Sequence, residues 1–173
     1  MTVCTGNVAR SVMLGSMLTT LGEGGGEQWH IRTAGTHVTE GLAMSARTRD
    51  ALLAIADLGE HRYGAHRSHQ LADEDVAWAD VILASEASHV RFVRERFDHA
   101  THRVVQLGQF VRFAPRDLML DDQLLVVARH EPDVSRDVVD PAGGDQNAYD
   151  ECARQLWVLA QECAALRVSS DGD

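Results

Sequence analysis

The sequence MTVCTGNVARS, at residues 1–11, passes from a short apolar segment through a loop into a helical pattern. A loop between the end of a strand and the N-terminus of a helix turns several backbone N–H groups inward. Together with the helix dipole, these groups form a site for an anion. Gly6 and Asn7 are residue types that tolerate the positive φ that such a tight loop requires. The stretch therefore predicts an anion-binding loop after the first strand of an α/β fold.

Three side chains in this loop carry reactive or charged groups. The field that binds a phosphate dianion also stabilises a thiolate, so we predict that Cys4 is ionised and nucleophilic. Arg10 has a planar fork of donors that can bind two phosphate oxygens at once. The Ser11 hydroxyl is placed to hydrogen-bond the sulfur. A buried core cysteine is the alternative interpretation of Cys4, but it would not account for Asn7, Arg10 and Ser11 together.

Short apolar segments alternate with helical periodicity along the rest of the chain. The predicted strands are residues 1–3, 30–32, 81–85 and 103–107, and the predicted helices are residues 11–21, 46–58, 86–97, 119–130 and 147–166. Parallel strands joined by right-handed helical crossovers form an open, doubly wound sheet. We therefore predict a single domain over residues 1–168 with a three-layer α/β/α architecture. It has a small four-stranded parallel sheet, helices on both faces, and the phosphate-binding loop after strand 1. Residues 169–173 are predicted to be a frayed C-terminal tail.

Composition narrows the functional class. The 173 residues carry a formal net charge of -10, which disfavours nucleic acid as a partner. There is no apolar run long enough to span a bilayer and no export signal, so we expect a cytoplasmic protein without a membrane partner. The three cysteines, Cys4, Cys152 and Cys163, lack the C-x-x-C spacing of zinc or dithiol sites. The sequence therefore predicts neither a metal site nor a cofactor.

The loop resembles the signature of the low-molecular-weight protein tyrosine phosphatase family, which includes related arsenate reductases. Further similarity lies in residues 33–36 (TAGT), 66–71 (HRSHQL) and 79–83 (ADVIL), and in Asp140-Pro141 ahead of the final helix. The resemblance implies phosphomonoester hydrolysis through a cysteinyl-phosphate intermediate. Its substrate would be a phosphotyrosine protein or a small phosphomonoester, and inorganic phosphate would be the product. The residues it implies for substrate binding are Thr5, Gly6, Asn7, Val8, Ala9, Arg10 and Ser11, with Cys4 as the nucleophile.

The same resemblance implies an acid and a supporting shell. The family's Asp-Pro aspartate protonates the leaving group and later activates water, which gives Asp140 that catalytic role beside Cys4 and Arg10. From the residues alone, the Asp-Pro pair could instead start a turn, and Asp137 is a competing acid. His66 resembles the family histidine that hydrogen-bonds the loop asparagine. The supporting residues are therefore His66, Asn7 and Ser11.

Two departures from the family pattern affect these expectations. Relatives often carry a second cysteine inside the loop, where this chain has Ala9, so we predict that oxidised Cys4 has no local resolving thiol. Aromatic residues that wall the phosphotyrosine pocket in relatives are missing at residues 38–39 and just after Asp140-Pro141. The sequence therefore gives no direct support for a deep aromatic slot.

Two alternatives to a tyrosine phosphatase remain open. An arsenate reductase would use a similar loop, but it needs further cysteines, and residues 84–86 (ASE) contain none where reductases on this scaffold carry them. A phosphate-binding pseudoenzyme would bind the anion without turnover. Assays for thiol-dependent arsenate reduction and for phosphate ester hydrolysis separate these three functions.

Overall fold

The computed structural model describes residues 1–25, 29–58 and 65–168, and the predicted tail at residues 169–173 lies outside this range. Its centre is a sheet of short parallel strands, namely β1 Thr2–Cys4, β2 Thr33–Gly35, β3 Ile82–Ala84 and β4 Val104–Gln106. The strand order is β2-β1-β3-β4, so β1 lies inside the sheet and the chain crosses over between its neighbours. This order places the loop after β1 between the carboxyl ends of β2 and β3.

A helix follows every strand, and helical connections link each of the first three strands to the next. They are α1 Arg10–Gly24, α2 Ala46–Leu53, α3 Asp73–Trp78, α4 Ala87–Arg96, α5 Leu107–Phe113, α6 Leu120–Val127 and α7 Gln146–Val168, with short 3-10 turns at Ala56–Leu58, Asp98–Ala100 and Val134–Arg136. No helix within the described residues is both long enough and apolar enough to cross a membrane.

Helices cover both faces of the sheet. Because successive strand residues point to opposite sides, each strand contributes to two cores. Val3, Ile82 and Val104 belong to a core that includes residues of α3 and α4. Leu83 and Val105 belong to a second core that includes residues of α1, α2, α5, α6 and α7. The three-layer α/β/α arrangement with a four-stranded parallel sheet is therefore confirmed.

The element bounds differ from the prediction in the second strand. Residues 30–32 were predicted as β2, but the strand is Thr33–Gly35, which pairs with Thr2–Cys4. His30 is exposed, whereas Ala34 is fully buried between the neighbouring layers. Thr-Ala-Gly has little intrinsic strand preference, and burial and pairing with β1 decide its conformation.

The helical predictions were wrong in three places. The helix predicted over residues 46–58 ends at Leu53, where the N–H of Ile55 turns to the carbonyl of Leu52 and starts a tighter 3-10 turn. Helices α3 and α5 were not predicted. Leu107, which was assigned to the fourth strand, instead begins α5 directly after β4 without an intervening loop.

Candidate active site

The loop between β1 and α1 bends sharply at Asn7, which has φ of 53° and is the only non-glycine residue with positive φ among the described residues. The loop is held by the segment after β2, where the N–H groups of Thr36 and His37 donate to the carbonyls of Cys4 and Thr5 at 2.9 and 3.0 Å. Close approach here requires glycine at position 35. A Cβ atom on Gly35 would lie 2.4 Å from the carbonyl oxygen of Thr5.

The backbone N–H groups of residues 5–9 are available to a ligand. None of them donates a hydrogen bond to another group within the part of the chain that the structure describes. The carbonyl of Val8 accepts from the hydroxyl of Thr48 at 2.9 Å, and this hydrogen bond attaches the loop to α2. Donors without protein partners at the N-terminus of α1 form a suitable site for phosphate oxygens.

The Asn7 side chain connects the loop to three other segments. Its Nδ2 donates to Ser11 Oγ and to Thr33 Oγ1, both at 2.9 Å, and its Oδ1 accepts from the N–H of His69 at 2.9 Å. His66 contacts the same residue through the main chain. Its Nε2 lies 2.7 Å from the carbonyl oxygen of Asn7, and since a carbonyl only accepts, Nε2 carries the proton. Burial lowers the pKa of His66, which favours this neutral donor.

The sulfur of Cys4 lies 3.0 Å from the hydroxyl oxygen of Ser11, and both residues are buried. Ser11 Oγ already accepts a hydrogen bond from Asn7, so its own hydrogen is free to point at the sulfur. The three residues therefore form a chain that ends on the nucleophile predicted from the sequence.

Arg10 is 1% exposed, although it carries a permanent charge. Its Nη1 donates to Glu86 Oε1 and to the carbonyl of Val138, the latter at 3.0 Å. Its Nη2 donates to Thr5 Oγ1 at 3.3 Å and to Asp140 Oδ2 at 2.7 Å. Buried charges are tolerated when they are paired and hydrogen-bonded, and this guanidinium is paired on both nitrogens.

Asp140 contacts Arg10 in the structure, whereas the Asp137 carboxylate binds other groups. The Asp140 carboxylate touches Arg10 and remains 41% exposed, so it can reach a bound substrate. Asp137 Oδ1 instead accepts from the N–H of Ala87 at 2.7 Å and from Gln106 Nε2 at 2.6 Å. Burial raises the pKa of Asp137. Its contacts tie the loop before Asp140 to the start of α4.

Sequence reasoning missed Glu86 and His89, which follow β3 at the carboxyl end of the sheet. Glu86 pairs with Arg10, and His89 Nε2 lies 2.9 Å from Thr5 Oγ1. Burial, opposed by the charge of Glu86, lowers the pKa of His89 to about 4. A polar pair spaced by three residues directly after a predicted strand was the available signal, because ligands bind at this edge of a parallel sheet.

An aromatic pair beside the loop was also missed. The rings of His37 and Phe92 meet edge to face with their centres 5.3 Å apart. The N–H of His37 donates to Thr5, so the pair lies next to the loop, one residue before the predicted position of an aromatic wall. No group of three or more His, Cys, Asp or Glu side chains in the described ranges is arranged to hold a metal ion.

The relatives that comparison with known proteins finds, reported below, are named as phosphatases. Residues 1–125 match the family model described as Low molecular weight phosphotyrosine protein phosphatase. The chain is 28% identical over 162 residues to a Protein-arginine-phosphatase of Geobacillus stearothermophilus, covering 94% of this chain and 90% of that protein. It is 25% identical to a Protein-arginine-phosphatase of Bacillus subtilis (strain 168), covering 94% and 91%. The crystal structure of a Low Molecular Weight Protein Tyrosine Phosphatase from T. tengcongensis superposes with a TM-score of 0.74 at 25% identity, covering 93% of each chain.

Proposed function

Because the chain belongs to the low molecular weight phosphotyrosine protein phosphatase family, we propose that it hydrolyses a phosphorylated protein side chain through a phosphoryl group held on Cys4. The observation that carries this proposal is the 3.0 Å contact between Cys4 Sγ and Ser11 Oγ. It lies inside a loop whose amide donors have no protein partner in the described chain, with the Arg10 guanidinium at its end.

The first step is transfer of the phosphoryl group to sulfur. The Cys4 thiolate attacks phosphorus, so that an S–P bond forms while the bond from phosphorus to the leaving-group oxygen breaks. Arg10 and the loop amides bind the equatorial oxygens, whose charge they stabilise in the transition state. Asp140 donates its proton to the departing oxygen.

The second step is hydrolysis of the cysteinyl phosphate. Asp140, now ionised, takes a proton from a water molecule while the water oxygen bonds to phosphorus and the S–P bond breaks. Inorganic phosphate leaves, and the thiolate is regenerated with a hydrogen bond from Ser11. The supporting role of Asn7 and His66 is to hold the loop open between turnovers. This role rests on the two hydrogen bonds that join Asn7 to Ser11 and to His66.

Phosphotyrosine is the first candidate substrate. Its ring needs an apolar or aromatic neighbour outside the phosphate loop. Phe92 and His37 offer such a surface beside Thr5, which compensates for the absence of aromatic residues at positions 38–39.

Phosphoarginine is the second candidate substrate, because two carboxylates border the phosphate position. Glu86 and Asp140 both contact Arg10, and a cationic guanidino leaving group would be attracted to them where a neutral phenol would not. Two relatives along 94% of the chain carry the name Protein-arginine-phosphatase. In this case the bond that breaks is P–N, and Asp140 protonates nitrogen.

The experiment compares p-nitrophenyl phosphate hydrolysis at mildly acidic pH by wild type and Cys4→Ser. Cys163→Ser serves as the matched control because it removes a buried thiol from the last helix. We expect no measurable turnover with Cys4→Ser and nearly normal turnover with the control. We then measure kcat/KM for one peptide that carries either phosphotyrosine or phosphoarginine, and the form with the higher value is the preferred substrate. A Cys4→Ser enzyme as active as wild type eliminates the proposed mechanism.

A further inference from the structure

The carboxylates that bind the two terminal nitrogens of Arg10 differ in exposure. Nη1 is bound by the Glu86 carboxylate and by the carbonyl of Val138. Nη2 is bound by the Thr5 hydroxyl and by the Asp140 carboxylate. All four Nη hydrogens therefore have a protein acceptor, and a phosphate that binds a terminal nitrogen must displace one of these acceptors.

The acceptors of Nη1 are fixed by the surrounding main chain. The N–H of Val138 donates to the carbonyl of Ser85 at 2.9 Å, so the Val138 carbonyl is attached to the end of β3. Asp137 accepts from the N–H of Ala87, which fastens the same segment to the start of α4. Both partners of Nη1 thus belong to one hydrogen-bonded unit.

Glu86 is itself restrained. Its second oxygen accepts from Ser88 Oγ at 2.8 Å, and it directly precedes α4, where the helix dipole stabilises negative charge. Burial alone would raise the pKa of Glu86, but hydrogen bonds from Arg10 and Ser88 lower it overall. The carboxylate is therefore ionised at neutral pH and holds Nη1 from a constant position.

Asp140 is the more exposed acceptor, and its other oxygen accepts at 3.1 Å from the N–H of Ala142 within its own turn, so Asp140 can leave Arg10 together with that turn. Its side chain is 41% exposed against 23% for Glu86, and the backbone beyond it is a turn of Pro, Ala and two Gly. A proton donor to the leaving group has to release Arg10 when substrate binds. Departure of Asp140 frees Nη2 for a phosphate oxygen and leaves Nη1 where it was.

We propose that Glu86 is a positioning residue that anchors Nη1 of Arg10 so that Nη2 faces the phosphate. The expected change in kcat rests on the proposed function, whereas the anchoring of Arg10 can be tested by phosphate binding alone. Glu86 has a second effect of opposite sign, since its negative charge repels the phosphate. A test must therefore separate position from charge.

Glu86→Gln and Glu86→Ala provide that separation because both variants lack the charge and only Gln keeps an oxygen acceptor for Nη1. We measure kcat with p-nitrophenyl phosphate and the dissociation constant of inorganic phosphate by calorimetry. We expect Glu86→Gln to bind phosphate at least as tightly as wild type. Glu86→Ala should bind it about tenfold more weakly than Glu86→Gln, as for the loss of one charge-assisted hydrogen bond. Glu95→Gln, an exposed glutamate on the same helix, is the control and should match wild type.

Equal phosphate affinity and equal kcat in the Gln and Ala variants, within twofold, would overturn the proposal. If Glu86→Ala does not fold, Glu86→Asp replaces it, since the shorter side chain keeps the charge but withdraws the acceptor. That variant should bind phosphate about tenfold more weakly than wild type, and wild-type affinity would overturn the proposal as well. Wild type that binds phosphate but hydrolyses nothing would refute the proposed function, and the binding comparison would still decide the role of Glu86.

Discussion

The carboxylate of Asp140 lies 2.7 Å from Nη2 of Arg10, although 130 residues separate them in the sequence. This contact places the proposed general acid beside the guanidinium that is proposed to bind phosphate, so the acid is already at the site before substrate arrives.

Removal of this acid should reveal its role through the leaving group. We expect Asp140→Ala to lower kcat by about a hundredfold or more with phenyl phosphate, a typical contribution of a positioned acid. The loss should be smaller with p-nitrophenyl phosphate, whose leaving group needs a proton less. The measurement is steady-state kinetics over a series of substituted phenyl phosphates.

Asp137→Asn is the contrasting variant, because Asp137 binds Ala87 and Gln106 rather than the guanidinium. It should lower the melting temperature and show no steeper dependence on the leaving group than wild type. Steeper dependence in Asp137→Asn than in Asp140→Ala would transfer the role of acid to Asp137.

Gly35 provides a test of how closely the loop between β1 and α1 packs against β2. A Cβ atom there would meet the Thr5 carbonyl at 2.4 Å and Val38 Cγ2 at 2.5 Å, so Gly35→Ala has to displace the loop. We expect a loss of on the order of tenfold or more in kcat/KM and a destabilisation of about 1–3 kcal/mol, as for overpacking in general. Urea unfolding and kinetics measure the two effects.

Gly24→Ala is the matched control, since its Cβ at the end of α1 would meet no atom of the described residues within 4 Å. It should keep wild-type activity, and its stability should be unchanged or raised by up to about 1 kcal/mol because alanine favours the helix more than glycine does. A Gly35→Ala enzyme with wild-type kinetics would show that the loop tolerates displacement.

Much of the fold could be predicted from the first eleven residues and from the alternation of apolar segments with helical periods. A strand followed by Cys4, Asn7 and Arg10 at these spacings predicts an anion-binding loop, because the amides of such a loop and the N-terminus of the next helix face the same point. The layers follow from the need to cover both faces of a parallel sheet. The strand Thr33–Gly35 could not be located, since its conformation comes from pairing with Thr2–Cys4 rather than from its own residues.

The sequence also pointed to the loop and to Asp140, which lies against Arg10 in the structure, but it did not reveal the other partners of Arg10. Glu86 and Val138 reach Arg10 only because β3 lies beside β1, and strand order is not encoded in any local pattern. The pairing of His37 with Phe92 depends on the same long-range arrangement. Contacts between distant segments are therefore the part of the site for which a structure was needed.

Oxidation of Cys4 should not lead to an intramolecular disulfide. Burial raises the pKa of Cys152 to about 12, so this thiol stays protonated and is a poor nucleophile toward an oxidised Cys4. We expect mild peroxide to inactivate the enzyme and to leave sulfenic or sulfinic acid on Cys4. Mass spectrometry of the alkylated protein measures this, and a Cys4–Cys152 disulfide peptide would contradict the prediction. Cys152→Ala should be inactivated at the same rate as wild type.

Acid should destabilise the fold through His89, whose ring is buried next to Thr5. Its pKa falls from 6.5 to about 4 on folding, chiefly because burial disfavours the charged form. The unfolded chain therefore binds more protons between these two values, and stability is complete above pH 6.5 and is lost as the pH falls toward 4. The shift corresponds to a loss on the order of 3 kcal/mol, an upper limit for a single histidine.

The effect can be isolated with His89→Gln, which cannot titrate but still offers a polar group to Thr5. We expect this variant to be somewhat less stable than wild type at pH 7, and to lose less stability between pH 7 and pH 4.5, by up to about 3 kcal/mol in urea unfolding. The lowered pKa of His66 acts in the same direction but is present in both proteins, so it cancels in the comparison. His102→Gln, at an exposed site, should keep the wild-type pH profile. Parallel profiles for wild type and His89→Gln would mean that folding does not shift the pKa of His89, and the predicted acid sensitivity would then have another source.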